Sequence, residues 1–382
     1  MSRNKTLIML SKSIGQRFPG AKKHAFWVFP RVWKYFVRAK YRNEIRLLSR
    51  KNTDLPLRPN SAYANRIDSF WKTHYRKRVN TAWHAVCAGA NGLEDERYIP
   101  KDLCFSEIYP WLNRQDLADA YIDKNSSDVF LEGVVAPTTI LRKINGNFYL
   151  DKRHPISREA ASDHLLAHEG TVFIKPSFAC CGRDVRSLVI RENTIYMQNR
   201  PVAFRELDTK YGRDYIIQAR IEQHPLMQEI YPGSVNTLRM VTFRFRGKIH
   251  LLLAFARFGD NSSIVDNLAA GGVACGIAKD GRLKEFAFDK YARKYEKHPF
   301  TGYVFKDGII PNFDAFSDQV IALHRQLPYF DLVSWDIAVG PHAEPILVEL
   351  NLAGDTTIYQ IVHGPLFGSF TEALLENIRE SR

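Results

Sequence analysis

Two carboxylates and an amide near the C-terminus, Asp336, Glu349 and Asn351, stand at a spacing that can hold a divalent cation. Residues 335–339 read as a strand, 340–345 as a turn and 346–351 as a returning strand. A turn centred between His342 and Ala343 opposes Asp336 to Glu349. Because side chains alternate along a strand, Asn351 shares their face, while Trp335, Ile337, Val348 and Leu350 point the other way into a core. Opposed carboxylates repel unless a cation lies between them, and hard oxygen donors with room left for phosphate oxygens suit magnesium better than zinc. A pair facing solvent would tolerate the repulsion, but the flanking residues are too apolar for an edge hairpin in water.

A second stretch could handle an anion. Residues 172–176 form an apolar run ending in Lys175 and Pro176, followed by the small and polar loop Ser177 to Asp184 with one glycine, Gly182. Such a loop lets backbone N–H groups approach phosphate closely, and Lys175 places a point charge beside them. The nucleotide loop GxxxxGK[ST] is absent and a strand follows, so this is not a Walker loop. A surface hairpin with a lysine at its rim is the plainer alternative.

The elements that must position these groups are mostly strand pairs. The pattern gives 139–144 with 147–150 around an Asn-Gly turn, 171–175 with 185–190, 234–246 with 249–258, and 334–339 with 346–350. Residues 203–211, 312–327 and 364–382 have helical composition, and 61–90 and parts of 98–122 read as helices. The expectation is an α+β chain with mainly antiparallel sheets. Four units follow from it: a basic helical segment over 1–80, a helical subdomain over 81–136, a smaller lobe over 137–230 and a larger lobe over 231–382.

Composition bounds the function. With 382 residues, 45% of them hydrophobic, the chain can bury a sizeable core. Five cysteines in no paired motif point to a reducing, cytoplasmic setting rather than a disulfide framework. The net charge of +13 is confined to residues 1–60, which hold fifteen Lys/Arg against Glu44 and Asp54. A balanced body with no recognition motif argues against a nucleic-acid partner. From Phe29 to Leu48, Phe29, Trp33, Val37, Tyr41, Ile45 and Leu48 form an apolar stripe beside Arg31, Lys34, Arg38, Arg42 and Arg46. Such a helix either lies on an anionic membrane through residues 25–50, peripherally at the cytoplasmic face, or packs its apolar stripe on the enzyme body.

Taken in order, residues 137–375 resemble the ATP-grasp superfamily, in which two α+β lobes clasp ATP. Lys143 and Lys175 resemble its nucleotide-side lysines, with Arg142 an alternative to the first, and Ser177 to Asp184, including Gly182, resembles its lid loop. The run from Tyr215 to Gln223 is similar to the strand and hinge that contact adenine, through Gln218 and Ile221, with Glu222 or Gln223 near the ribose. Asp336, Glu349 and Asn351 match the magnesium ligands of the D-alanine–D-alanine ligase branch in type and spacing. Gln223-His224-Pro225, Ser234 to Arg239, Val265-Asp266-Asn267, Ala270 to Val273 and His298 to Gly302 resemble the sugar-transfer-associated branch. The lid departs from the pattern, being poor in glycine with Cys180 and Cys181 where small residues are usual.

The resemblance implies ATP and magnesium as cofactors and an amide-forming ligase that activates a carboxylate as an acyl phosphate for an amine, acting on small-molecule or glycan substrates in bacterial surface polysaccharide. Arg239 would grip the transferring group, Asn236 would orient it, and Lys175 would hold the triphosphate. Asp266, Asn267, Gly271 and Gly272 would line the acceptor pocket, and His224 and His298 are acid–base candidates. A kinase on the same fold, or a nucleotide-binding regulator without chemistry, are the other readings.

Overall fold

The computed structural model describes residues 30–151, 153–178, 184–260 and 265–381. Gly182, Cys180, Cys181 and the start of the apolar stripe at Phe29 lie outside them. Fifteen strands run in chain order. The first eight are β1 (Thr139–Ile144), β2 (Asn147–Tyr149), β3 (Pro155–Ile156), β4 (Gly170–Pro176), β5 (Arg186–Arg191), β6 (Thr194–Met197), β7 (Arg200–Pro201) and β8 (Tyr215–Ala219). The rest are β9 (Thr237–Phe245), β10 (Lys248–Phe258), β11 (Val273–Ile277), β12 (Leu283–Phe288), β13 (Lys294–Tyr295), β14 (Leu332–Val339) and β15 (Pro345–Asn351). They form two sheets, of order β3-β2-β1-β8-β4-β5-β6-β7 and β13-β12-β11-β10-β9-β14-β15, and every strand pair in them is antiparallel.

The four expected strand pairs all form. Asn145 and Gly146 between β1 and β2 both take positive φ, 49° and 90°, which the tight hairpin requires and which Asn-Gly supplies cheaply. The first sheet is covered by helices Arg158–Leu166 and Phe204–Tyr211, which close a core around Leu141, Val172, Leu188, Leu207 and Ile217. One face of the second sheet packs on helix Phe313–Arg325 through Trp335, Met240, Phe316 and Val320.

The other face of the second sheet receives the N-terminal helices. In helix Pro30–Lys51, Val37, Tyr41, Ile45 and Leu48 are buried at 4–7% exposure and share one core with Phe243, Phe255, Tyr359 and Leu374. Arg38 donates to Glu107 at 3.1 Å, and Lys101 bridges Glu44 to Asp355. The stripe offered to a bilayer in the sequence-based alternative is thus turned into the body, because burying four large apolar side chains there removes them from water without a lipid. Residues 30–112 form a helical layer of the larger lobe, whereas the sequence-based division sets a boundary at residue 80. No helix among the described residues is long and apolar enough to cross a membrane.

The segment between Asn113 and Pro137 has little regular structure and ties the lobes together. Asn113 donates to the carbonyls of Leu332 (2.8 Å) and Leu352 (2.9 Å), and Asn125 donates to the Lys143 carbonyl (3.2 Å) and to Ser177 Oγ (3.1 Å).

Candidate active site

The acidic hairpin forms as its alternation demands. Asp336 pairs with Glu349, Trp335 with Leu350 and Ser334 with Asn351. A bulge then shifts the register, so that Ile337 opposes Leu347 and the turn closes one residue earlier, with Gly340 donating to the Glu344 carbonyl at 2.9 Å. The bulge corrects one expectation: Leu347 enters the core and Val348 faces the cleft instead. Trp335, Ile337 and Leu350 do point into the core.

Asp336 is 1% exposed and held from the neighbouring strands. Arg239 on β9 lies directly opposite it in register and grips it with a two-pronged fork, Nη2 reaching Oδ2 at 2.9 Å and Nε reaching Oδ1. Arg257 on β10 approaches Oδ2 at 3.1 Å and also donates to Thr237 Oγ1 at 2.6 Å. Thr237 in turn donates through its backbone N–H to Asp266 Oδ2 at 3.0 Å, and Arg239 donates to the Tyr359 hydroxyl at 2.9 Å. Burial alone would raise the Asp336 pKa, but the Arg239 and Arg257 charges outweigh it and hold the carboxyl below its ordinary range. For Asp266 burial outweighs the Arg257 charge and the Thr237 hydrogen bond, and its pKa is raised.

Across the cleft, Lys175 at the end of β4 donates to Gln218 Oε1 on β8 at 3.0 Å. Burial lowers its pKa to about 8, against the opposing pull of Glu349. Lys124, from the connecting segment, reaches Glu349 Oε2 at 3.4 Å. Phe173, Val185, Ala219, Ile221 and Val235 add apolar walls to the same cleft. Three cations (Lys124, Lys175, Arg257) and three carboxylates (Asp266, Asp336, Glu349) therefore line one pocket between the two sheets. Such a mixture suits a phosphate chain accompanied by a divalent cation, and the apolar walls suit a planar base.

The donor set fits magnesium. Asn351 Nδ2 lies 3.3 Å from Asp336 Oδ2 and 3.4 Å from Glu349 Oε1. The two ends of an amide exchange by rotation, so the same side chain can present an oxygen to that point and leave three oxygens converging. No group of three or more His, Cys, Asp and Glu side chains able to hold a metal gathers among the described residues, this hairpin included, so the set relies on the Asn351 amide as its third donor.

The other expected site residues divide. Lys175, Ile221, Asp336 and Glu349 line the cleft, as do Asp266 and Asn267, and Gln218 touches it through Lys175. Glu222 and Gln223 line an adjoining open groove beside the hinge, with Arg220, Gln228 and Ser187. Arg239 faces Asp336 rather than the cleft. The remaining expectations need correction. Lys143 points into the small lobe, where it is buried, paired with Asp208 and set over the Phe148 ring at 4.9 Å. Its alternative Arg142 is spent on Asp128 and the Asn125 carbonyl. Ser177 is fully buried and donates to Asp123, so its hydroxyl does not face phosphate.

Asn236 is fully buried as well, donating to the Met227 and Tyr231 carbonyls at 2.7 Å each and meeting Gln223, so it braces the turn before β9 and touches no cleft. The two histidines are structural: His224 Nδ1 accepts from the Leu226 N–H, capping helix Pro225–Ile230, and His298 Nε2 meets the Gly259 carbonyl at 2.8 Å. Gly272 has its backbone against the Phe258 and Asp266 carbonyls, which an added Cβ would meet at 2.5 and 2.8 Å, so that glycine shapes the cleft wall.

Solved structures similar to this chain match it at low identity and at TM-scores of about 0.4. The biotin carboxylase domain of Hydrogenobacter thermophilus 2-oxoglutarate carboxylase, in complex with MgADP, ADP and bicarbonate, is 12% identical, with 71% of this chain and 48% of that chain covered at a TM-score of 0.41. VanG D-Ala:D-Ser ligase from Enterococcus faecalis is 11% identical, with 68% and 61% covered at 0.38, and an L-amino acid ligase from Bacillus licheniformis is 12% identical, with 69% and 48% covered at 0.38. This chain spans about half to three-fifths of their lengths. Among curated proteins, none matches the sequence. The family model of sugar-transfer associated ATP-grasp proteins matches residues 113–374, which takes in both sheets, the hinge and the acidic hairpin, and the chain belongs to that family.

Proposed function

We propose that the protein is an ATP-dependent ligase that joins a carboxylate to an amine through an acyl phosphate. The observation that carries this reading is the gathering of Asp336, Glu349 and Asn351 opposite Lys175 and Lys124 in a cleft walled by both sheets. Asp336, Glu349 and Asn351 would hold magnesium, which neutralises charge on the β- and γ-phosphates when bound. Lys175 and Lys124 would grip phosphate oxygens, and Ile221, Phe173 and Ala219 would sandwich the base.

In the first step a carboxylate oxygen of the substrate attacks the γ-phosphorus and the bond to the β-phosphate oxygen breaks, releasing ADP. In the second, the amine nitrogen attacks the acyl carbon, phosphate leaves with the bonding pair and the amine gives up a proton. A carboxylate resists direct attack because of its charge, and phosphorylation supplies a leaving group in place of oxide. Arg257, whose guanidinium lines the cleft, is the group placed to hold the carboxylate or the tetrahedral oxyanion. Arg239 acts one layer behind, fixing the Asp336 carboxylate at both oxygens.

For the substrate, the family's association with sugar transfer supports a sugar acid of a surface polysaccharide as the carboxylate, amidated by an amino acid or amine. The test is ADP and phosphate release by the purified protein with magnesium, a panel of uronic acids and a mixture of amines. The proposal expects both products to require an acid and an amine together. ADP formed with a hydroxyl acceptor, with the phosphoryl group retained on it, would make the protein a kinase instead.

A further inference from the structure

A second cluster of basic side chains lies far along the chain from the cleft residues, on the N-terminal helical layer. Arg38, Arg42 and Arg46 fall four residues apart on helix Pro30–Lys51 and line a groove together with Arg78 on the neighbouring turn. Like charges at this spacing repel, and the stripe weakens its own helix unless an anion covers it. Arg38 is ion-paired with Glu107, but Arg42, Arg46 and Arg78 all stand exposed along the groove.

Arg78 approaches Asp68 at 4.0 Å, a distant pair at the exposed surface. Residues 1–29 contain six Lys/Arg and neither Asp nor Glu. The groove also has a polar floor. Asp102 lines it and is only 7% exposed; its Oδ1 makes no hydrogen bond, although the Trp83 indole N–H, likewise unpartnered, stands beside it. An orphaned buried acceptor is costly, and a donor on a ligand would relieve it. Leu57, 44% exposed, and Val79 supply an apolar edge.

We infer that this groove is a binding site for a phosphate ester of a polyol, its phosphate oxygens taken by Arg42, Arg46 and Arg78 and one of its hydroxyls donated to Asp102. Guanidinium forks match phosphate oxygens two at a time, and a hydroxyl supplies the donor the carboxylate lacks. Free sugar phosphates and glycerol- or inositol-based lipid headgroups share this chemistry. The inference is independent of the ligase reading, since nothing in it depends on turnover.

The test uses the full chain without nucleotide, so that no adenosine phosphate competes for the groove, and each titration is repeated in Lys124→Ala/Lys175→Ala to remove the phosphate grip of the cleft. Calorimetric titration with glucose 1-phosphate measures the free ligand, and flotation with phosphatidylcholine vesicles containing phosphatidylglycerol measures the headgroup. Binding in either arm, weakened at least tenfold in Arg42→Gln/Arg78→Gln, supports the site, and the arm that responds identifies the source. Asp102→Asn, which keeps the side chain's size, should lessen the preference for glucose 1-phosphate over inorganic phosphate. Failure of both ligands to bind, or binding that the double variant leaves unchanged, would overturn the inference; equal affinity for glucose 1-phosphate and inorganic phosphate in the unaltered protein would overturn the part assigned to Asp102.

Discussion

Asp336 and Glu349 lie directly opposite one another across β14 and β15, yet their surroundings differ sharply. Asp336 is buried between the guanidinium groups of Arg239 and Arg257, whereas Glu349 is half-buried at the cleft wall with Lys124 at 3.4 Å. The same hairpin thus presents one carboxylate locked in an ionic lattice and one close to the space a phosphate chain would fill.

That contrast separates two substitutions. Glu349→Gln and Asp336→Asn should each reduce magnesium-dependent ADP formation at least a hundredfold. Only Asp336→Asn should also destabilise the protein markedly, by about 3–5 kcal/mol, because it leaves buried arginines without their partner. Thermal melts beside an ADP-release assay check both, and equal stability losses would contradict the difference in burial.

Lys143 and Lys175 should behave oppositely. Lys143→Ala strands the buried Asp208 carboxylate, to which Arg158 also reaches at 3.1 Å, so it should cost about 2–4 kcal/mol of stability with little change in the KM for ATP of the folded fraction. Lys175→Ala should raise that KM tenfold or more while the melt moves little. Steady-state kinetics paired with melting curves decide this.

The ATP dependence should also follow pH. Lys175, with its pKa lowered to about 8, loses its charge as pH rises through that value, so apparent ATP affinity should fall above pH 8 by up to about tenfold per unit. In the absence of nucleotide the sign reverses for folding: between about 8 and the ordinary lysine value the unfolded chain binds more protons, and this group's contribution to stability rises with pH. Lys175→Arg keeps a charge throughout and should flatten the affinity profile. Nucleotide binding measured from pH 7 to 9.5 provides the check.

Ile45 tests the packing of the N-terminal helix. It is 4% exposed in the core shared with the second sheet, and Ile45→Ala should cost about 2–4 kcal/mol. A melt within about 0.5 kcal/mol of the unaltered protein would mean that the helix does not depend on that core.

The acidic hairpin is legible in the sequence because alternation places Asp336, Glu349 and Asn351 on one face whatever the details of the turn. The bulge is not legible, since nothing in the run Ile346 to Leu350 marks which residue is extra, and so Val348 changes sides. Arg239 and Arg257 could have been paired with Asp336 from their isolation in the apolar runs Leu238 to Val241 and Leu251 to Phe258, where an unpartnered charge would be intolerable. Lys124 could not, because it arrives from an irregular segment with no periodicity to place it. Lys143 misleads for a related reason: its strand position fixes the face, but its partner Asp208 is 65 residues away on a helix that only the fold brings close. The helix stripe from Val37 to Leu48 has the spacing of a buried face and of a membrane face alike, and only the presence of a complementary core decides between them.

The most direct measurement is a crystal of the protein soaked with AMPPNP and manganese, with anomalous scattering recorded at the manganese edge. The account expects a peak about 2.0–2.3 Å from oxygens of Asp336, Glu349 and Asn351, adjoining the triphosphate and Lys175. Nucleotide in the cleft with its cation away from all three side chains, or nucleotide bound outside the cleft, would contradict it.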